Sequence, residues 1–325
     1  MKSTRNYLFD NIKAFLILFV IYGHIIERYI HVDNYLMMIY VAIYSFHMPL
    51  FVFISGYFTK YSLISKRKAF RHILIPYLIL NTILQIYMYF ISGKLYLNPV
   101  MPGWTLWYLL SLFFWRYFLK YITIIKNIYL NILISIILGI SISFIQRNNN
   151  ILSFSRTISF LPYFLIGYYT EESIITKIMM IPKITSLISI VTLMSLLCFT
   201  FLFFSLDFRV LYLTGSFQSY DLAPLTGIAL RLLLYLYSFI ISIFFINLTP
   251  NSNNALSRIG ENTAIYYIFH VYLVYSFQFI IPVFNSGLLN RFITIIALTF
   301  IIIVLNQINK IWCYSANKDF KLDDT

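Results

Sequence analysis

The chain has 325 residues, of which 60% are hydrophobic and only 11% charged, and its mean hydropathy is +0.80. That is more apolar surface than one soluble core can hide, which excludes a soluble enzyme and points to an integral membrane protein. The formal charge of +13 comes without any soluble segment of interleaved basic and aromatic residues, so it suggests anionic lipid headgroups and not nucleic acid as the partner.

Apolar runs long enough to cross a hydrocarbon layer of about 30 Å, roughly 20 residues of helix, recur along the whole length. About ten spans are expected, near 9–31, 36–58, 72–92, 103–123, 127–146, 157–170, 184–205, 224–248, 262–283 and 288–312. Runs this long and continuous mean helices and not barrel strands. The expected fold class is therefore all-α, a polytopic protein with one integral domain over 1–325. The asparagines at 148–150 and 251–254 mark loops. With the N-terminus inside, sixteen of the twenty-four Lys and Arg residues fall on one side of the ten-span topology and six on the other, which predicts that both termini are cytoplasmic. The first span is too charged at its start, and lacks a following small-residue cleavage site, to be a removed signal peptide. Cys198 and Cys313 lie in separate spans without a CxxC pair and are expected to pack.

Ionisable side chains inside spans are costly, about 2.5–3.5 kcal/mol at the bilayer centre on insertion scales, and so mark sites. In "FDNIKAFLILFVIYGHIIERY", residues 9–29, Asp10, Lys13, His24 and Glu27 interrupt an otherwise apolar helix. Eleven residues separate Lys13 from His24, which at about 100° per residue returns to within roughly 20° of the same face, about 16 Å further along the axis. Lys13 then sits near the cytoplasmic mouth, where it can meet an anionic ligand, while His24 lies deeper. Glu27, one turn on, is within hydrogen-bonding reach of it.

The second span returns inward and carries His47 in "FHMPLFVFISGYF", residues 46–58, at a depth expected to be similar to that of His24. A neutral imidazole exchanges a proton near pH 7, as needed to activate a hydroxyl or to protonate a leaving group. Pro49 removes a helix hydrogen bond and is expected to bend the span. His31 and His72 belong to the edges of the membrane, and the histidine spacing fits no metal-ligand pattern, so no metal is expected. The cluster Lys66, Arg67, Lys68 and Arg71 is a positive-inside patch that could also hold phosphates. Trp104, Trp107 and Tyr108 start the fourth span, where an aromatic belt or a sugar-stacking surface is expected. His270 lies in the ninth span and could serve packing or the site.

The segments "FDNIKAFLILFVIYGH" at 9–24, "IYSFHMPLFVFISGYF" at 43–58, "KRKAFRHILIPYL" at 66–78, "GWTLWYLLSLF" at 103–113, "YFLIGYY" at 163–169 and "SRIGENTAIYYIFHVYL" at 257–273 together resemble the acyltransferase-3 family of integral membrane acyltransferases. The branch they resemble is the one similar to fucose 4-O-acetylases. The resemblance implies transfer of an acyl group, commonly acetyl, from cytoplasmic acyl-CoA to a hydroxyl of a carbohydrate. It maps the family's basic-x10-His pair onto Lys13 and His24, where lysine in place of the common arginine keeps the charge and loses the bidentate fork. It maps the family's basic motif after the second span onto Lys66, Arg67, Lys68 and Arg71.

The reading that results is a membrane O-acetyltransferase of a cell-surface polysaccharide or its lipid-linked precursor, with acetyl-CoA or another acyl-CoA as donor. In it His24 is the general base, Glu27 orients its ring and His47 assists at the oxyanion or the leaving thiolate. Lys13, Arg67 and Arg71 hold the donor, and Trp104, Trp107, Tyr108 and His270 line the acceptor site. The alternative is a glycan or lipid transporter, but such proteins commonly show two related halves, and the second half here has no counterpart to Lys13-x10-His24. A sensor that binds acyl-CoA or glycan without turnover would be told apart by binding without release of free CoA.

Overall fold

In lipid every backbone polar group needs an internal partner, so apolar runs of this length become helices. All regular elements of the described residues are helical in the structure, a computed structural model. It describes residues 6–61, 66–93, 98–145 and 151–322, with side chains to 314. The loop expected at 148–150 lies outside them, as do Lys2, Arg5, Lys94 and Arg147 of the charge count.

In chain order the helices are α1 (Tyr7–Ile26), α2 (Asn34–Tyr44), α3 (His47–Thr59), α4 (Lys66–Ser92), α5 (Trp107–Ile122), α6 (Ile128–Ser141), α7 (Phe154–Ser159), α8 (Leu161–Tyr169), α9 (Glu172–Met179), α10 (Lys183–Phe203), α11 (Pro224–Leu248), α12 (Ala255–Glu261), α13 (Thr263–Ile280) and α14 (Gly287–Leu322). They form two compact units, Met1–Ile43 with Thr249–Thr325, and Tyr44–Leu248.

Seven helical stretches among the described residues, not ten, are long and apolar enough to cross a membrane on their own. The other three expected spans are carried by shorter pieces, α5 of 16 residues, α6 of 14, and the pair α7 and α8 of 6 and 9. The last break has a local cause. Pro162 sits in the first turn of α8, where its missing N–H costs nothing, but α7 cannot run through it. The second expected span counts among the seven as one stretch of 26 residues, Asn34–Thr59, although a turn at Ser45 and Phe46 separates α2 from α3. Here too the break precedes a proline, because Pro49 has no N–H to offer Ser45 and its ring would strike that carbonyl.

In the first unit α1 packs along α12, and a Cβ on Gly260 would fall 1.7 Å from the Asp10 carbonyl oxygen, so no other residue permits the approach. Asn11, wholly buried, donates from Nδ2 to the carbonyls of Pro250 (2.8 Å) and Ser252 (3.0 Å) and accepts from Ser257 Oγ (2.8 Å). Ser257 in turn completes a reciprocal cap with Asn254 at the start of α12. At the other end Asp33 accepts from the N–H groups of Tyr35 (2.8 Å) and Leu36 (3.1 Å) at the start of α2, and from Arg291 of α14 at 2.8 and 3.2 Å.

In the second unit α3 and α8 touch backbone to backbone. A Cβ on Gly56 would lie 2.0 Å from the Phe164 carbonyl oxygen, and one on Gly167 at 2.0 Å from that of Phe53. This reciprocal pair of small residues is the usual device for close helix contact where lipid supplies no hydrophobic drive.

Candidate active site

The cluster of interest lies in the first unit, where α1 and α13 end side by side. The last carbonyls of a helix lack intrahelical donors, and here each helix supplies the other's. Gln278 Nε2 of α13 donates to the His24 carbonyl at 2.8 Å. Arg28, just past α1, donates to the Ile281 carbonyl at 3.1 Å and to that of Gln278. A cation at a helix C-terminus is favoured by the dipole as well. These reciprocal caps set the lateral register of the two helices.

That register brings two imidazoles together. The rings of His24 and His270 are stacked, with centroids 5.9 Å apart and planes inclined by 22°. His24 Nδ1 lies 3.2 Å from Glu27 Oε2, and the two side chains keep 14% and 30% of their exposure. A carboxylate only accepts, so the proton of this bond belongs to Nδ1 and the His24 lone pair is on Nε2. His270 is wholly buried. Its Nδ1 faces the carbonyls of Tyr266 (3.0 Å) and Tyr267 (2.8 Å), which can only accept, so Nδ1 carries the proton there too. His270 Nε2 has no hydrogen-bond partner among the described residues. A buried polar atom left this way costs about 1–3 kcal/mol and asks for an explanation.

Lys13, toward the start of α1, pairs with Asp10 at 2.9 Å, with a quarter of its side chain exposed. The family profile described as "Acyltransferase domain" matches residues 6–307, nearly the whole chain, and takes in this cluster and both units. The chain belongs to that acyltransferase family. It is a multi-pass membrane protein that resides in a lipid bilayer.

The chain is also similar to the nodulation protein NolL of Sinorhizobium fredii (strain NBRC 101917 / NGR234), with 45% identity over 58 residues. That stretch is 17% of this chain and 16% of NolL. No solved structure matches.

The other candidate residues lie in the second unit. His47 is the first residue of α3, buried, with its ring edge-on to Tyr44 at 4.9 Å between centroids. Arg67 and Arg71 are exposed on the first turns of α4, beside Lys66, which rests 4.7 Å above the Tyr121 ring. Trp107 and Tyr108 are buried and Trp104 is half-buried. The Arg156 guanidinium lies 5.1 Å over the Trp107 ring, and the Phe160 ring is 5.1 Å away. Ser55 Oγ spends its proton on the Phe51 carbonyl (2.9 Å), so the Tyr108 hydroxyl is the donor in their 2.5 Å bond. The rings expected to face a sugar thus make contacts with the protein's own side chains.

Sequence reasoning brought His24 and Glu27 together through helix spacing. It did not find the positioning residues Gln278 and Arg28. A signal was present for Gln278, an amide in the otherwise apolar "FQFII", eight residues after His270.

Proposed function

We propose that this acyltransferase moves an acetyl group from cytoplasmic acetyl-CoA, or a related acyl group from its CoA ester, to a hydroxyl of a cell-surface polysaccharide or its lipid-linked precursor. The observation that carries the reading is the His24 ring held between the Glu27 carboxylate and the His270 imidazole. His24 Nε2 takes the proton from the acceptor hydroxyl as its oxygen attacks the thioester carbonyl. The tetrahedral intermediate collapses, the carbon–sulfur bond breaks, and His24 returns the proton to the leaving thiolate. Glu27 keeps the ring in the productive tautomer and faces the imidazolium as it forms. No covalent acyl-enzyme is required.

His270 presents its Nε2 lone pair beside this base, where it accepts a hydrogen bond from the incoming hydroxyl and so orients it. Lys13, on the same helix as His24, serves the phosphates of the donor. Both termini are assigned to the cytoplasm on the distribution of Lys and Arg.

The test uses purified protein in lipid nanodiscs with acetyl-CoA and a de-O-acylated surface glycan. Release of free CoA should depend on the glycan, and mass spectrometry should find the glycan heavier by acetyl groups. Release of CoA without a heavier glycan sinks the acceptor assignment, and donor binding without release would make the protein a sensor.

A further inference from the structure

A second polar site lies in the other unit, far along the chain from the histidine pair. The segment between α10 and α11 is a built structure of two 3₁₀ turns, Phe208–Tyr212 and Gln218–Tyr220. Tyr220 ties it across, accepting from the Gly215 N–H at 2.9 Å and donating to the Arg209 carbonyl at 3.1 Å. Ser155 Oγ donates to the Thr214 carbonyl at 2.8 Å, and the Phe217 N–H donates to the Ser143 carbonyl at 2.9 Å. Leu213 and Asp221 are held at φ of 58° and 53°, the left-handed region, which for a leucine is a strained backbone.

This frame closes a cavity of about 410 Å³ whose wall includes Ser143, Ser216, Gln218 and Asp221 among the rings of Phe144 and Phe217. Behind it stands Arg231 of α11, 3% exposed, donating from Nη2 to Ser143 Oγ at 2.8 Å. A guanidinium has only donors, so Ser143 accepts from it and its own hydroxyl proton is left over. Ser143 is 1% exposed, and among the described residues that proton has no acceptor. A buried arginine is expensive to keep in a membrane helix, and such residues in spans mark binding paths.

We infer that this cavity binds one or two sugar rings of a glycan. Ser143 supplies a donor, the Asp221 carboxylate an acceptor, Gln218 both, and the phenyl rings apolar faces, which together match a ligand carrying hydroxyls on the edge and C–H groups on the face of a ring. The volume fits the range of ligand pockets, about 300–1,000 Å³. An anion suits the site less well, because Asp221 stands on its wall. This site rests on the reading that the acceptor is a glycan and adds to it a place for the sugar that is independent of the reacting group.

The experiment is binding of oligosaccharides released from the producing cell's own surface polysaccharide and de-O-acylated with mild alkali, measured by thermophoresis on the full chain in nanodiscs. Wild type and His24→Ala should bind alike. Asp221→Asn and Ala223→Trp, the second adding bulk at an exposed lining position, should weaken binding by about tenfold or more with unchanged melting. Should Ala223→Trp fold poorly, Asp221→Asn decides. Undiminished binding in the well-folded variants, or no binding by wild type, overturns the site. Acyl transfer to these oligosaccharides with undiminished binding in both variants would overturn the site and leave the proposed function standing. Binding that the variants abolish, with no transfer by wild type, would do the reverse.

Discussion

Two regions of this protein bury polar side chains in apolar surroundings, and they do it differently. Along α5, α7, α8 and α11 most of the polar groups bond one another, although Ser159 Oγ, Arg231 Nη1 and Asn247 Oδ1 have no partner among the described residues. Ser111 bonds Thr157 (2.7 Å), the Trp115 indole donates to the Thr157 carbonyl (2.9 Å), Tyr163 bonds Ser238 (2.6 Å) and Tyr235 donates to the Ser159 carbonyl (2.7 Å). Such bonds replace the water a membrane lacks and hold helices together. Between α1 and α13 the imidazoles of His24 and His270 stack instead of bonding, and Nε2 of His270, wholly buried, has no hydrogen-bond partner among the described residues. Closed networks hold a structure, whereas a buried base with an unspent lone pair is stable only because its surroundings fix it there. In this protein the helix ends do that fixing, through Gln278 and Arg28.

The contrast is broken most directly at His24. His24→Ala should lower acyl transfer per folded molecule by about 10²–10⁴-fold, the usual worth of a general base, with melting temperature and membrane level close to wild type. A loss of protein with activity per molecule retained would place His24 among the structural groups. His270 comes next. His270→Phe keeps a ring for the stack and removes the lone pair, so transfer should fall by about 10–10²-fold with little loss of stability, and the effect should appear in the KM for acceptor as well as in kcat. If His270→Phe is fully active, the stack matters and the lone pair does not. Glu27→Gln retains an acceptor oxygen for Nδ1–H and loses the charge opposite the imidazolium, so kcat should drop by about tenfold with donor KM unchanged.

Much of this arrangement was legible in the sequence. Apolar runs gave the membrane fold, and the i, i+3 spacing of His24 and Glu27 sets two side chains on one helix at hydrogen-bonding distance without reference to anything else. Three expected spans proved shorter because Pro162 and the ends of α5 and α6 interrupt runs that composition alone reads as continuous. The partnership of His24 with His270 was not legible, since it joins residues 246 positions apart through caps at helix ends. Nor was the absorption of Trp107 and Tyr108 into side-chain contacts, because an aromatic at a span end has the same sequence signature whether it faces a sugar, a headgroup or Arg156.

Tyr108→Phe sharpens the other half of the comparison. It removes the donor to Ser55, so the protein should lose about 1 kcal/mol of stability, the net worth of a typical hydrogen bond, and acyl transfer should stay within about twofold of wild type. A marked rise in the KM for acceptor at unchanged melting temperature would return Tyr108 to the binding site.

The smallest effect is electrostatic and lies at the Asp33–Arg291 bridge of the first unit, outside the reacting groups. Burial by itself raises the Asp33 pKa, but the Arg291 guanidinium and the N–H groups of Leu36 and Tyr35 outweigh it, so the carboxyl is held below the ordinary aspartate value. Over the interval between the lowered folded pKa and the unfolded one, the unfolded chain binds more protons, so stability rises with pH there. The contribution is fully present above the unfolded aspartate value of about 3.9 and is lost as pH falls through the folded one. Melting of the detergent-solubilised protein should therefore fall on acidification below about pH 4, and Asp33→Asn, already without the charge, should show a shallower fall from a lower starting point. Equal slopes in the two proteins would mean that the bridge contributes nothing to holding α2 and α14 in place. The reciprocal caps at the ends of α1 and α13 would then have to supply the rigidity of this end of the unit without it.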